Sequence, residues 1–270
     1  MIILKSPREI GLIREAGKVV AEALEAVRTR AVPGAQTIEL DRAVKEIFRK
    51  YGAVALFTGV QNGKNKPPFP AASCVSVNEQ VVHGIPGDRR LKEGDIVSVD
   101  TGCRLNGWCA DSATTLPVGR VSPETQRLLN VTEECLNLAI REMGRLRKWS
   151  EIAELMDDYV RSHGYTQVEK FVGHGIGRSM HEEPQVPNFV NKQLLKNDFW
   201  IEEGLVIAIE PMVNQGTKEV RVCRDHWTVE TKDSRLSAHF EHTVAITASG
   251  PEILTSPASA RIERPQAVCV

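Results

Sequence analysis

The chain has 270 residues, 41% of them hydrophobic and 26% charged, which excludes a disordered, collagen-like or membrane-embedded protein. Thirty-four Lys and Arg against 35 Asp and Glu leave a formal charge of −1, so charge gives no case for nonspecific nucleic-acid or membrane-surface binding. The apolar run Met1-Ile2-Ile3-Leu4 is too short for a signal peptide, no stretch has the length of a membrane span, and six scattered cysteines without a Cys-x-x-Cys pair read as reduced thiols. A cytoplasmic location is expected.

Ser6-Pro7-Arg8-Glu9 has the form of a capping box, and Ile10, Ile13, Val20, Leu24 and Val27 follow it at helical spacing. This helix should end before Pro33-Gly34, and a second should run from Thr37 to Gly52. A short strand over 53–58 is expected, then a loop of Gly, Asn, Lys and Pro over 59–73. Strand formers dominate 74–82 and 96–101, and Asn106-Gly107 signals a two-residue hairpin. Ser122-Pro123 and Ser150 open further helices, the latter ending at His163-Gly164-Tyr165. Residues 207–209 and 244–246 are apolar strands, and 256–270 reads as a C-terminal tail.

Three features recur in order: Ser6 and Ser122 are 116 apart, Gly52 and Gly164 are 112 apart, and Lys92–Asp100 and Glu202–Glu210 are 110 apart. One unit of two helices plus strands, used twice over roughly 6–115 and 120–250, accounts for this within a single domain over 1–255. Both aligned strands end in a carboxylate.

With a two-residue loop at Asn106-Gly107, Leu105 faces Trp108 and Asp100 faces Ala113. Asp111 then lies on the same sheet face as Asp100, diagonal to it at roughly 7–8 Å. Two like charges this close need a cation or a raised pKa. Glu210 ends the apolar run Ile207-Ala208-Ile209 and Glu241 precedes another; a buried strand that ends in a carboxylate needs a partner for it. Pairing with Arg or Lys serves any one of these acids, but a shared cation serves all four. His174 lies within Gly173-His174-Gly175-Ile176-Gly177, whose glycines free the backbone around the imidazole; His181 follows, and His83 ends a strand at a turn. His163, His226, His239 and His242 carry only a structural reading. The set suits Mn2+, Fe2+, Co2+ or Zn2+, and two such ions bridged by carboxylates perform hydrolysis.

Asn78-Glu79-Gln80-Val81-Val82-His83-Gly84-Ile85-Pro86, the Asp100/Asp111 pair, Gly173 through Pro184, Ile209-Glu210-Pro211-Met212 and Phe240-Glu241-His242-Thr243 resemble, in order, the motifs of type I methionine aminopeptidases. The resemblance runs from about Ser6 to Leu254. It implies an α+β pita-bread fold with two pseudo-symmetric halves, each with helices on a curved antiparallel sheet. It implies metal ligands at Asp100, Asp111, His174, Glu210 and Glu241. His181 would bond the substrate carbonyl, His83 the scissile amide nitrogen, and Glu210 would shuttle a proton. Phe69, Cys74, Met180 and Trp227 match the methionine pocket, although Met180 stands where the family usually has an aromatic residue and the 59–73 loop lacks its tyrosine. A monovalent ion (Na+ or K+) near Asn78 and Ser237, a monomeric state, and nascent chains beginning with Met and a small second residue, met transiently at the ribosome, complete the expectation. A prolidase or aminopeptidase P is the nearest competitor, though those enzymes usually carry an N-terminal domain for which six residues leave no room. A non-enzymatic binding relative is the other.

Overall fold

In the computed structural model, which describes residues 1–64 and 66–256, Ser6 caps the first helix, α1 (Pro7–Arg28), as its sequence requires. The Ser6 hydroxyl accepts from the Glu9 N–H, and the Glu9 carboxylate accepts from the Ser6 N–H at 2.8 Å. The apolar stripe from Ile10 to Val27 is buried. α2 (Thr37–Tyr51) ends on Gly52 in the left-handed conformation, φ 64°. Between them Ile13, Val20, Leu40 and Val44 form one core against β4 (Ile96–Leu105) and β5 (Trp108–Pro117).

The strand expected over 53–58 shrinks to β1 (Val54–Ala55), because Gly59 turns the chain at φ 84° and its N–H bonds the Phe69 carbonyl. The strand expected over 74–82 is two, β2 (Ser73–Val77) and β3 (Gln80–Val82). Asn78 reverses the chain between them at φ 60°, and its side chain bonds Ile96 N–H and Asp95.

α3 (Pro123–Glu142) is capped by Ser122. α4 (Trp149–Ser162) starts one residue before the expected Ser150, since Lys148 is the N-cap and Ser150 is taken up by the Asp198 carboxylate. The rest of the chain forms β6 (Thr166–Gln167), β7 (Gly173–Gly175), β8 (Glu182–Val186), α5 (Lys192–Lys196), β9 (Val206–Ile209) and β10 (Met212–Asn214). It ends with β11 (Val220–Val222), β12 (Val229–Thr231), β13 (Ser237–His239), β14 (Glu241–Thr247) and β15 (Gly250–Ile253). The sequence reading lacks β15, which folds back on β14 through Gly250 at φ 103°. The tail expected over 256–270 lies, beyond Ser256, outside the described residues, as does Asn65 of the 59–73 loop.

A nine-stranded antiparallel sheet runs β1-β4-β5-β14-β9-β7-β8, with β2 on β4 and β15 on β14. α3 and α4 bury Leu136, Trp149 and Ile152 with Ile207 and Val244 in a second core. The arrangement is α+β, one curled sheet with a helix pair serving each of two cores. The Asn106-Gly107 turn has both residues at positive φ, 51° and 82°, and it sets Leu105 opposite Trp108 and Asp100 opposite Ala113 as the spacing predicts. Ala113 is also opposite Glu241 on β14. A single row across the sheet therefore carries two of the acids.

Candidate active site

Five neighbouring strands each deliver one ligand-type side chain. Asp100 is on β4, Asp111 on β5, Glu241 on β14, Glu210 just past β9, and His174 on β7. Ligand atoms of Asp111, His174 and Glu241 lie within 4.8 Å of one another, and His174 Nε2 is 3.8 Å from Glu210 Oε1. His174 Nδ1 is 3.0 Å from the Gly175 carbonyl; that bond keeps the proton on Nδ1 and leaves Nε2 as an acceptor toward the acids.

The glycines flanking His174 serve close approach and not the conformational freedom read from the sequence. Neither Gly173 nor Gly175 adopts a positive φ. A Cβ at Gly173 would sit 2.3 Å from the Ala208 carbonyl oxygen, and one at Gly175 2.2 Å from that of Glu183.

No Lys or Arg reaches the four acids among the described ion pairs. Burial, with neighbouring carboxylates, holds Asp100, Glu210 and Glu241 well above the usual carboxylate range. Burial raises Asp111 to about 7. Asp100 Oδ1, Asp111 Oδ1 and Glu241 Oε1 are buried without a hydrogen-bond partner. Orphaned carboxylate oxygens converging with an imidazole acceptor fit hard or borderline divalent cations.

A cavity of about 210 Å3 joins this cluster to an apolar chamber. Phe69 meets Trp227 edge-on at 5.2 Å, and Trp227 Nε1 donates to the Pro67 carbonyl. Cys74 stands opposite Asp100 in the β2–β4 ladder, and burial with the nearby Asp100 and Asp111 keeps its thiol protonated. Met180 packs on the same cluster. His83, at φ 59°, is edge-on to Phe171 at 5.3 Å and to Trp227 at 6.3 Å. Burial and His181 lower it to about 4, and the same causes bring His174 to about 4. His181 is edge-on to His174 at 4.4 Å, its own pKa lowered by burial. All three imidazoles are therefore neutral at pH 7.

The sequence pattern of metallopeptidase family M24 matches residues 11–248. The chain belongs to that family. Within M24, a methionine aminopeptidase of Clostridium perfringens is 46% identical over 94% of this chain and 99% of its own length. The crystal structure of a methionine aminopeptidase from Thermotoga maritima superposes with a TM-score of 0.88 at 40% identity, covering 95% of this chain and all of that one. A solved prolidase from Pyrococcus furiosus, at 21% identity and a TM-score of 0.73, shares the fold, which is the pita-bread arrangement expected from sequence.

The eleven residues expected to act as ligands, catalytic groups or pocket walls line one cavity of this M24 chain, namely Phe69, Cys74, His83, Asp100, Asp111, His174, Met180, His181, Glu210, Trp227 and Glu241, while Asn78 and Ser237 lie outside it. Two further walls, Phe57 and Val60, escape sequence reading because Phe57 falls in the segment read as strand and Val60 in the segment read as loop. Phe171, which backs His83, also escapes it, since nothing local ties residue 171 to residue 83. His163, His226, His239 and His242 stay outside the cavity lining; His242 Nδ1 instead lies between the Ser112 and Thr255 hydroxyls. Among the described residues no helix is long and apolar enough to cross a membrane.

Proposed function

We propose that the chain removes N-terminal methionine from polypeptides as a dinuclear metalloaminopeptidase. The observation that carries this reading is the apolar chamber of Phe57, Phe69, Cys74, Met180 and Trp227 directly abutting acids whose buried oxygens lack partners. An unbranched thioether suits a chamber of aromatic and sulfur groups, and a chamber of about 210 Å3 beside the acids has room for one side chain of that size.

Asp100, Asp111, His174, Glu210 and Glu241 would hold two divalent ions (Mn2+, Fe2+, Co2+ or Zn2+). When bound, such ions supply an activated water and a Lewis acid for the scissile carbonyl. His181, neutral at the mouth, donates to the substrate carbonyl as charge develops there. His83, clamped between two aromatic edges, bonds the scissile amide nitrogen. Glu210 moves a proton from water toward the leaving amine. The residue after methionine passes between His83 and His181, and the two rings are fixed by their neighbours, which favours a small side chain there. The buried Ser237 hydroxyl has no partner, and the Ser237 N–H donates to the Asn78 carbonyl, which supports a bound Na+ or K+.

Nascent chains in the cytoplasm, with transient ribosome contact, are the proposed setting, and a monomer the working form. A single domain over 1–255 with one unit used twice fits β4 and β9 lying on opposite sides of the β5–β14 pair. The test is peptide hydrolysis with Mn2+ or Co2+ on Met-Ala, Met-Lys, Leu-Ala and Ala-Pro sequences. Methionine should leave only Met-Ala peptides, and a chelator or Glu210→Gln should stop the release. Cleavage of Ala-Pro without Met-Ala would transfer the chain to the proline-directed enzymes, and no cleavage with two metals bound would make it a binding protein.

A further inference from the structure

Among the described residues Lys5 is the one buried lysine, 7% exposed. Its ammonium donates to Glu182 Oε2 at 2.6 Å and to the Ile3 carbonyl at 2.9 Å. The other Glu182 oxygen accepts from the Arg178 and Ser179 N–H groups at 2.8 and 3.1 Å. Glu182 is thus the knot of a loop, 177–182, that carries Met180 and His181 into the cavity.

The lysine is threaded into a space made for it. Its N–H donates to the Gly204 carbonyl at 2.7 Å, just before β9, the strand that leads to Glu210. A Cβ at Gly177 would come within 2.6 Å of the Lys5 Cε, and one at Gly204 within 2.9 Å of the Lys5 carbonyl oxygen. On its other side the Gly177 carbonyl accepts from the Cys109 N–H at 2.7 Å, on the strand that bears Asp111.

We propose that Lys5 is a positioning residue for the reaction. Its ion pair with Glu182 fixes the 177–182 loop, and through that loop it places His181 against the substrate carbonyl. The proposal rests on the aminopeptidase reading for what His181 does, and on geometry alone for the loop. A surface ion pair contributes little. This one is buried on the lysine side, hydrogen-bonded at every carboxylate oxygen, and attached to the residue next to His181. Misplacing a reacting group by about 1 Å costs on the order of 100-fold in rate.

Lys5→Met keeps the stem and removes the charge. With a Met-Ala peptide its kcat should fall about 100-fold while KM changes less than about threefold, because an interaction used in the transition state is lost. Lys5→Arg should recover most of the rate. Placed in a His181→Ala background, Lys5→Met should cost less than about threefold more, since the residue through which it acts is already gone. In metal-free protein, hydrogen exchange at the Arg178 and Ser179 amides should speed up in Lys5→Met. If that variant does not accumulate folded, Glu182→Gln carries the same measurements. Unchanged kcat, losses that multiply with His181→Ala, or unchanged exchange at both amides overturns the proposal. Wild-type protein that releases no methionine overturns the aminopeptidase reading instead, and the exchange experiment then decides the role of Lys5 by itself.

Discussion

Asp111 keeps its proton up to about pH 7 because burial penalises the charge, and burial with the neighbouring Asp111 holds Asp100, Glu210 and Glu241 well above the usual carboxylate range. Divalent ions bind the ionised forms, so loading should release protons near neutral pH. His174, brought to about 4 by burial and His181, is already neutral and contributes none. Calorimetry of Mn2+ binding in buffers of different ionisation enthalpy should show net release at pH 6.5, reduced in Asp111→Asn. The sign for stability follows from the same shifts. Carboxyls with raised folded pKa stabilise below their unfolded values, and this is lost as pH rises through the folded values; His83 and His174 act oppositely, their contribution complete above 6.5. Between about pH 6.5 and 8, below the ordinary thiol value of 9.0 from which burial raises Cys74, the carboxyls carry the change, so metal-free protein should melt at lower temperature at about pH 8 than at about pH 6.5, and a flat profile would contradict the raised values. His181→Ala should lower kcat by about 100-fold or more, read by steady-state kinetics on a Met-Ala peptide. At this scale the four clustered acids are legible in the sequence, because each acid interrupts an apolar run or shares a hairpin face. Phe57 and Phe171 are not, because an aromatic residue looks alike whether it faces a core or a cavity.

Elements were legible where a local rule fixes them. Ser6 and Glu9 close their capping box within one turn, and Ser6→Ala should cost about 1 kcal/mol in denaturant unfolding. Asn106-Gly107 sets the β4–β5 register by turn geometry alone, hence the diagonal of Asp100 and Asp111. The glycines around His174 show where the local rule misleads. Their backbone is ordinary extended strand, and the reason for each glycine is a carbonyl from β9 or from residue 183 pressed against it. Gly175→Ala should therefore displace β7 and its imidazole, lowering metal affinity about 10- to 100-fold by titration, although Ala suits the backbone angles. The 53–58 and 74–82 segments shortened or split for a related reason. Residues Asn78 and Gly59 turn at positive φ, and strand propensity reads through such turns.

Across the whole molecule, the site is where two cores meet. Asp100 and Asp111 come from strands covered by α1 and α2, while Glu210 and His174 come from β9 and β7 beside the core of α3 and α4. Ions shared between them would tie the halves together. Saturating Mn2+ at about 100 times its dissociation constant should add about 2.7 kcal/mol to unfolding, seen as a melting temperature that a chelator lowers. From the sequence alone come the starts of α1, α2 and α3, the hairpin register, the acids and histidines, and through their order the family. Caps, turns and strand parity act over a few residues, so a linear reading reaches them. Only the tertiary structure decided that eleven scattered residues line one cavity, that Phe57 and Val60 complete it, and that Lys5 meets a carboxylate 177 residues away. Such contacts depend on the curl of the sheet and the depth at which one strand buries another, and no period in the chain encodes either.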